Sequence, residues 1–278
     1  MKTNYHTHVR LCGHAIGMSE DYIKKAIELG YDEIGMSDHG PIPRNWMSEE
    51  EYEFHWLHRQ MTEDDFYNIY LPDLEQTISK YQNQIVIKKG LEIEYVPGKK
   101  AYYEALLSQL DYLNLGVHYF FHNGKSYNSY EALSYQQISY YAATVEEALA
   151  TNWFKILVHP DLFLYSYTSI NSQYREFDQY AKAVSRRIIE AAIKHNVALE
   201  VNAGGVAKGK FHLQGKLEFV YPRSEFWKLV KEYQQSQDVM VVIGADAHTP
   251  SALGDQYYKE TIEFAKEIGL RITKKLEI

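Results

Sequence analysis

The stretch NYHTHVRLCGHA, residues 4–15, carries His6, His8 and His14 within nine positions of one another. His6 and His8 flank Thr7, so on an extended strand both imidazoles project from the same side, because strand side chains alternate with a period of two. Two adjacent imidazoles gain little from each other unless a cation lies between them, and neutral imidazole is the commonest nitrogen ligand of metal ions. A strand that runs straight into a donor-bearing loop is therefore one unit of a pattern. The fold is decided by whether the chain repeats it.

It does. Seven segments rich in Val, Ile, Leu and aromatic residues read as buried strands, near 2–7, 33–37, 85–93, 112–118, 155–159, 197–202 and 239–245. Helical patterns separate them. SEDYIKKAIELG (19–30) opens on Ser19 as an expected cap and stops at Gly30, and TEDDFYNIYLPDLEQTISKYQ (62–82) opens on Thr62 with Asp65 three residues on. Pro72 falls inside the second pattern and is expected to kink or break it. Further helices are expected at 100–110, 130–151, 177–195, 222–235 and 256–268. Such alternation implies parallel strands with helical crossovers. Seven repeats suit an α/β fold of the distorted, TIM-like (β/α)7 barrel type better than a doubly wound sheet. No internal repeat or linker divides the chain, so 1–278 reads as a single domain.

At 45% hydrophobic and 24% charged the chain has ordinary globular composition. A formal net charge of -8 argues against a nucleic-acid binder held by a broad basic surface, while leaving room for a small phosphorylated substrate. Cys12 is the only cysteine, which precludes an intrachain disulfide. No charged-then-apolar leader follows Met1, and no apolar run approaches the roughly 20 residues that cross a bilayer. A cytoplasmic protein without a membrane partner is expected; its oligomeric state is left open.

In barrels of this kind the working residues lie at the C-terminal ends of the strands and in the loops beyond. The first strand ends in His6 and His8, with His14 following; the second in Asp38 and His39. The third, VIKKGLEIEY, carries Glu92 and Glu94, and the fourth ends in His118. The fifth ends in His159, the sixth in Asn202, and the seventh, VMVVIGADAH, in Asp246 and His248. Seven of the twelve histidines thus gather at one rim. Burying so many ionisable groups without a counter-charge would cost several kcal/mol each, to order of magnitude. Cations remove that cost, and histidine with carboxylate suits Zn, Fe or Mn. Four-coordinate zinc would be saturated by half the donors, so two or three divalent ions are expected. Glu92 and Glu94 share a strand face, so spacing does not choose between them. Cys12 would be an unusual sulfur among nitrogen and oxygen donors. His55 and His58 fall in a helical insert containing Tyr and Trp, and His195 ends a helix, where a cation suits the dipole. His122 and His212 fall in loops near the rim, within reach of a substrate.

The set HxH…H…DH…E…H…H…DxH resembles the PHP (polymerase and histidinol phosphatase) superfamily. The stretches YHTHVRLCGHA, SDHGPIP, RQMTEDDF, GLEIEYVPG, GVHYF, LEVNAGG and GADAHTP are similar to its monofunctional histidinol-phosphate phosphatases, over roughly residues 3 to 270. The resemblance implies a distorted seven-stranded barrel with a trinuclear centre. His6, His8, Glu92 and Asp246 would hold one metal, His14, His39 and His248 a second, and Glu92, His118 and His159 a third, with Glu92 bridging. It implies hydrolysis of L-histidinol phosphate in histidine biosynthesis. Clustered cations lower the pKa of a shared water, so in-line attack by a metal-bridging hydroxide is expected, with Asp38 and His248 as the residues expected to handle protons. Hydrogen-bonding His39 is the alternative role for Asp38.

One departure stands out. The related phosphatases commonly carry an arginine after the sixth strand, in a pattern like NTSGLRK, whereas NAGGVAKG here puts Ala207 at that position, followed by Lys208 and Lys210. Arg44, after DHGPIP, is the nearest alternative cation by sequence position. Arg44, His122 and Lys208 are accordingly the expected substrate-binding residues. Lysine binds phosphate as a point charge without the fork of arginine. Two other readings compete: a PHP phosphoesterase for another small ester or a nucleotide, and a metal-binding module without catalysis.

Overall fold

The computed structural model describes residues 1–54, 60–168, 170, 175–213 and 215–278. The helical insert expected to carry His55 and His58 lies outside them. Among the described residues no helix is long and apolar enough to cross a membrane.

Eleven strands are described: β1 (Thr3–Asn4), β2 (Glu33–Met36), β3 (Val86–Ile93), β4 (Tyr112–Leu115), β5 (Tyr119–His122), β6 (Lys125–Asn128), β7 (Phe154–Leu157), β8 (Ala198–Asn202), β9 (Lys210–Leu213), β10 (Lys216–Phe219) and β11 (Val241–Gly244). Seven of them form one parallel sheet in the order β1-β2-β3-β4-β7-β8-β11. The sheet curls until its edges meet: Thr7 bridges Ala247, the His8 N–H donates to the Ala247 carbonyl at 2.9 Å, and the Ala247 N–H donates to the His6 carbonyl at 3.3 Å. The result is a nearly closed (β/α)7 barrel of TIM-like form. β1 is shorter than the expected 2–7 because Asn4 replaces the ladder with its side chain. Its amide donates to Thr7 Oγ1 at 2.7 Å and to the His6 carbonyl at 3.2 Å, and accepts from the Ala245 N–H at 2.8 Å.

Helices cover the outside, each burying residues three or four apart, as Tyr22, Ile23 and Ala26 of Ser19–Glu28 or Val184, Ile188 and Ala192 of Gln179–Lys194 do. Ser19 is the first helical residue rather than the cap. Met18 takes that place, and its N–H donates to the Asp21 carboxylate at 2.9 Å. Thr62 caps as expected, accepting from the Asp65 N–H at 3.0 Å. Pro72 does not end the helix. A π segment, Phe66–Tyr70, precedes Leu71–Tyr81, and such widened turns tolerate a residue that lacks an N–H. The helix expected at 130–151 is Tyr135–Ala150, with Ser134 and Gln137 exchanging hydrogen bonds at its start. Two antiparallel hairpins, β5–β6 and β9–β10, were not among the expected segments.

The closed end of the barrel is apolar. Tyr5, Tyr112, Ile156, Val158, Ala198, Val242 and Leu276 pack there as one cluster. The Tyr112 ring fills the space left by Gly35 and Gly90, where a Cβ would overlap it, and its hydroxyl donates to the Tyr5 carbonyl at 2.9 Å.

Candidate metal centre

Residues two apart on a barrel strand share its inner side, so the strands that build the apolar end also aim donors at the other. Glu92 on β3 lies at the centre. Its Oε2 is 3.2 Å from His6 Nε2, 3.2 Å from His39 Nδ1 and 3.5 Å from His8 Nε2. Its Oε1 is 2.8 Å from His159 Nε2 and 3.5 Å from His118 Nε2. Asp246 Oδ1 approaches His8 Nε2 at 3.1 Å and His6 Nε2 at 3.6 Å. The rings of His14 and His39 are 5.2 Å apart, those of His14 and His248 4.7 Å, and those of His8 and His248 4.1 Å. All nine expected metal donors therefore converge on one mouth. The choice between Glu92 and Glu94 also resolves in space: Glu92 faces the imidazoles, and Glu94 stands behind His118, 2.8 Å from its Nδ1.

Several imidazoles are held from behind. His6 Nδ1 meets Glu200 Oε1 at 2.8 Å, His8 Nδ1 meets Asp38 Oδ1 at 3.3 Å, and His14 Nδ1 donates to the Cys12 carbonyl at 2.9 Å. His248 Nδ1 donates to the Asp246 carbonyl at 3.1 Å. An acceptor on one ring nitrogen fixes the tautomer and leaves the other lone pair facing inward, the usual arrangement around a metal. The inward Nε2 atoms of His6, His8 and His248 are buried and make no well-formed hydrogen bond, those of His6 and His8 being close to the Glu92 and Asp246 carboxylates without the geometry of one. Donor triplets such as His8, His39 and His248, or His39, Glu92 and His118, have ligand atoms within 4.8 Å of one another. This clustered set of nitrogen and oxygen donors can bind divalent metals.

The electrostatics agree. Burial drives the Glu92 carboxyl up, but the charges of His6, His118 and His39 overrule it and hold it well below the usual carboxylate range. Burial likewise opposes a charge on His8, and the Asp246 and Asp38 carboxylates close to its two ring nitrogens raise it to about 9. His248 goes the other way: burial and the neighbouring His8 charge push it down to about 3. Without cations the mouth collects protons on some imidazoles and refuses them on others. Metal binding displaces the former and uses the latter directly.

The remaining expected residues scatter. Lys208 lines the metal cavity, of about 400 Å³, together with Tyr130, Tyr221, Asp255 and Tyr257. Arg44 lies outside that cavity, exposed, ion-paired with Glu49 and over the Tyr52 ring. His122 stacks on Tyr140 at 3.7 Å and does not line the cavity either. His212 faces a neighbouring cavity beside Arg175, and His195 ends the helix Gln179–Lys194 as expected. Asp38 is fully buried behind His8, its Oδ1 also accepting the His39 N–H at 2.9 Å. Cys12 Sγ lies within 4.8 Å of ligand atoms of His14 and His248, but its thiol donates to the Val9 carbonyl at 3.2 Å and burial keeps it protonated.

Sequence reading missed Glu200. Its carboxylate joins His6 Nδ1, the His159 N–H at 3.0 Å and the Asn202 side-chain amide at 2.8 Å. A charged residue inside the buried run VALEVN was the available signal. Three glycines were missed too: a Cβ on Gly116 would overlap Glu92, on Gly204 Asp246, and on Gly244 Glu200. The mouth is hollowed out by glycine wherever an acid enters it.

Comparison with known proteins follows the same lines. The chain is 24% identical over 276 residues to a protein of Deinococcus radiodurans named "Probable histidinol-phosphatase", covering 96% of this chain and 93% of that one. A solved histidinol phosphate phosphatase from Lactococcus lactis, complexed with zinc, L-histidinol and phosphate, superposes with a TM-score of 0.68 at 16% identity, covering 98% of this chain and 95% of that one. A candidate histidinol phosphatase from Listeria monocytogenes superposes with a TM-score of 0.70 at 21% identity, covering 93% and 99%. The PHP domain model matches residues 4–204, most of the barrel and six of the seven donor-bearing strand ends, and the chain belongs to the PHP domain family.

Proposed function

We propose that the chain is a metal-dependent phosphoric monoester hydrolase that converts L-histidinol phosphate to L-histidinol and phosphate, as a cytoplasmic step of histidine biosynthesis. The observation that carries this reading is the pair of buried Nε2 atoms of His6 and His8 turned towards the carboxylates of Glu92 and Asp246, with the buried Nε2 of His248, on the ring stacked against His8, also making no hydrogen bond. The names and ligands of the matched bacterial proteins supply the substrate. His6, His8, Glu92 and Asp246 would hold one cation, His14, His39 and His248 a second, and Glu92, His118 and His159 a third. Two or three ions of Zn, Fe or Mn would polarise the phosphoryl oxygens and bring the pKa of water towards neutrality.

The protein's own part is positioning. Glu200, Glu94 and the carbonyls of Cys12 and Asp246 lock the imidazoles before anything binds, so no reorganisation is left to the moment of reaction. Asp38 has no access to the cavity and acts through His8, as a positioning residue rather than by touching substrate. His248 faces the cavity and offers its Nε2 there. Lys208 would meet the phosphate as a point charge.

The test is phosphate release from L-histidinol phosphate and a panel of other monoesters, with metal content measured on the same preparation. Zinc, iron or manganese bound at two or more per chain, with histidinol phosphate the best substrate, supports the reading. Turnover of a different ester a hundred-fold better would move the assignment to a PHP phosphoesterase of other specificity. Among the described residues that line the metal cavity Lys208 is the one lysine and there is no arginine, the feature that favours that second reading. Bound metal without turnover of any ester would leave a metal-binding module, against which the complete donor set argues.

A further inference from the structure

Beside the metal cavity lies a second chamber of about 470 Å³, and the two share His14, His39, His118, Tyr130 and Lys208. A ligand with one end at the metal donors can extend into it. Among the described residues the rest of the chamber wall is formed by Gln60, Glu94, Asn128, Glu131 and Tyr165. That wall offers acceptors and an aromatic face. The Gln60 amide nitrogen donates to Glu94 Oε2 at 3.2 Å, which orients the group, and its Oε1 is buried with no partner among the described residues. Glu131 is exposed, without an ion pair among the described residues. The Tyr165 ring is held by the edge of Tyr130 at 5.8 Å, by Tyr221 at 6.0 Å and by the Arg175 guanidinium 5.2 Å from its centre.

Acceptors beside an aromatic face suit a group that donates N–H bonds, carries positive charge and stacks. Lys208, on the boundary between the two cavities, reinforces the polarity: it favours an anion at the shared rim and turns a cation away from it. The direction of binding follows, with phosphate at the metal donors and a cationic tail in the chamber. We infer that this chamber reads the leaving group of the ester, Glu131 selecting a protonated amine while Gln60 Oε1 and the Tyr165 ring receive an N–H-bearing aromatic ring beside it. The inference rests on the hydrolase reading above and adds the residues that set its specificity.

The experiment compares L-histidinol phosphate, O-phosphoethanolamine and propyl phosphate as substrates of the metal-loaded protein and its Glu131→Gln, Glu131→Asp and Tyr165→Leu variants. Glu131→Gln should lower the kcat/KM ratio of each amine-bearing ester to propyl phosphate about ten-fold, through KM with kcat within two-fold, the size expected of one charge-assisted contact. Glu131→Asp should recover part of that ratio. Tyr165→Leu should lower turnover of L-histidinol phosphate relative to O-phosphoethanolamine, since only the former carries a ring. Unchanged ratios in Glu131→Gln overturn the assignment. Should the wild type hydrolyse none of the three, the hydrolase reading fails on its own, and calorimetric titration with L-histidinol decides the chamber. Binding weakened about ten-fold by Glu131→Gln supports it, and equal binding or none to the wild type overturns it.

Discussion

The two ends of this barrel are made by the same strands and obey opposite rules. On β8, Ala198 belongs to the apolar floor while Glu200 and Asn202, two and four residues on, belong to the mouth. β11 and its continuation repeat the change, from Val242 at the floor through Gly244 to Asp246. The floor is stabilised by shape: Tyr112 fills the interior, Leu276 covers it, and nothing there needs a partner from solution. The mouth is a concentration of charge that the fold tolerates only because Glu200, Asp38 and Glu94 neutralise it from behind and cations can neutralise it from in front. Stability and reactivity are thus separated by about two residues along each strand, so substitutions at each end should fail in different ways.

Tyr112→Ala should cost about 3–5 kcal/mol of stability, since it opens a cavity between Gly35 and Gly90. Denaturant unfolding measures it, and each folded molecule should keep its full complement of metal. Loss of metal from the folded variant would break the division between the ends. Glu92→Ala should do its main damage to function: removing the counter-charge of His6, His118 and His39 lowers the stability of the metal-free chain at neutral pH, but the folded variant should also lose metal, which Tyr112→Ala does not. Turnover should fall by more than about 100-fold, beyond the usual effect of a residue one shell further out. Glu200→Gln should weaken metal binding about 10- to 100-fold, read by chelator competition, because it loosens His6 without removing a ligand. An unaltered affinity would demote Glu200 to packing.

The pH dependence sharpens the contrast further. His248 is held at about 3 in the folded chain and would titrate near 6.5 when unfolded, so between those values the unfolded state binds the extra proton and acidification lowers stability. His8, raised to about 9, contributes stability that is complete below 6.5 and disappears as the pH climbs through 9. The metal-free protein should therefore be most stable near pH 6.5, and unfolding curves at pH 5, 6.5 and 9 would show the maximum. A monotonic trend would contradict the opposed shifts. Smallest of all, Arg44→Ala should change turnover by less than about two-fold, because its guanidinium is committed to Glu49 at the surface.

Most of the mouth was legible because each donor follows directly on an apolar run, a juxtaposition that needs no tertiary information. Glu200 was not read because it lies within its strand instead of beyond it, where only knowledge of which side faces the barrel axis marks it out. The β5–β6 hairpin had an available signal: Asn123 and Gly124 both adopt positive φ, the geometry that an Asn-Gly pair favours between antiparallel strands. The run YFFH was too short and too close to His118 to stand out. Arg44 was chosen by distance along the chain, and the loop carries it away to Glu49. That Lys208 lines the cavity while Arg44 does not became visible only once the short helix Ala203–Ala207 folded that lysine over the mouth.

The seam where β11 meets the first strand is thin, with two amide contacts across the Thr7–Ala247 bridge. His6 and His8 stand on one lip of it, and Asp246 with His248 on the other. An ion gripped from both lips would act as a rivet, joining the first and last strands of the sheet where the ladder is thin. Loading should then slow hydrogen exchange at the His8 and Ala247 amides more than at the helices outside, so that the element doing the chemistry also fastens the cylinder shut.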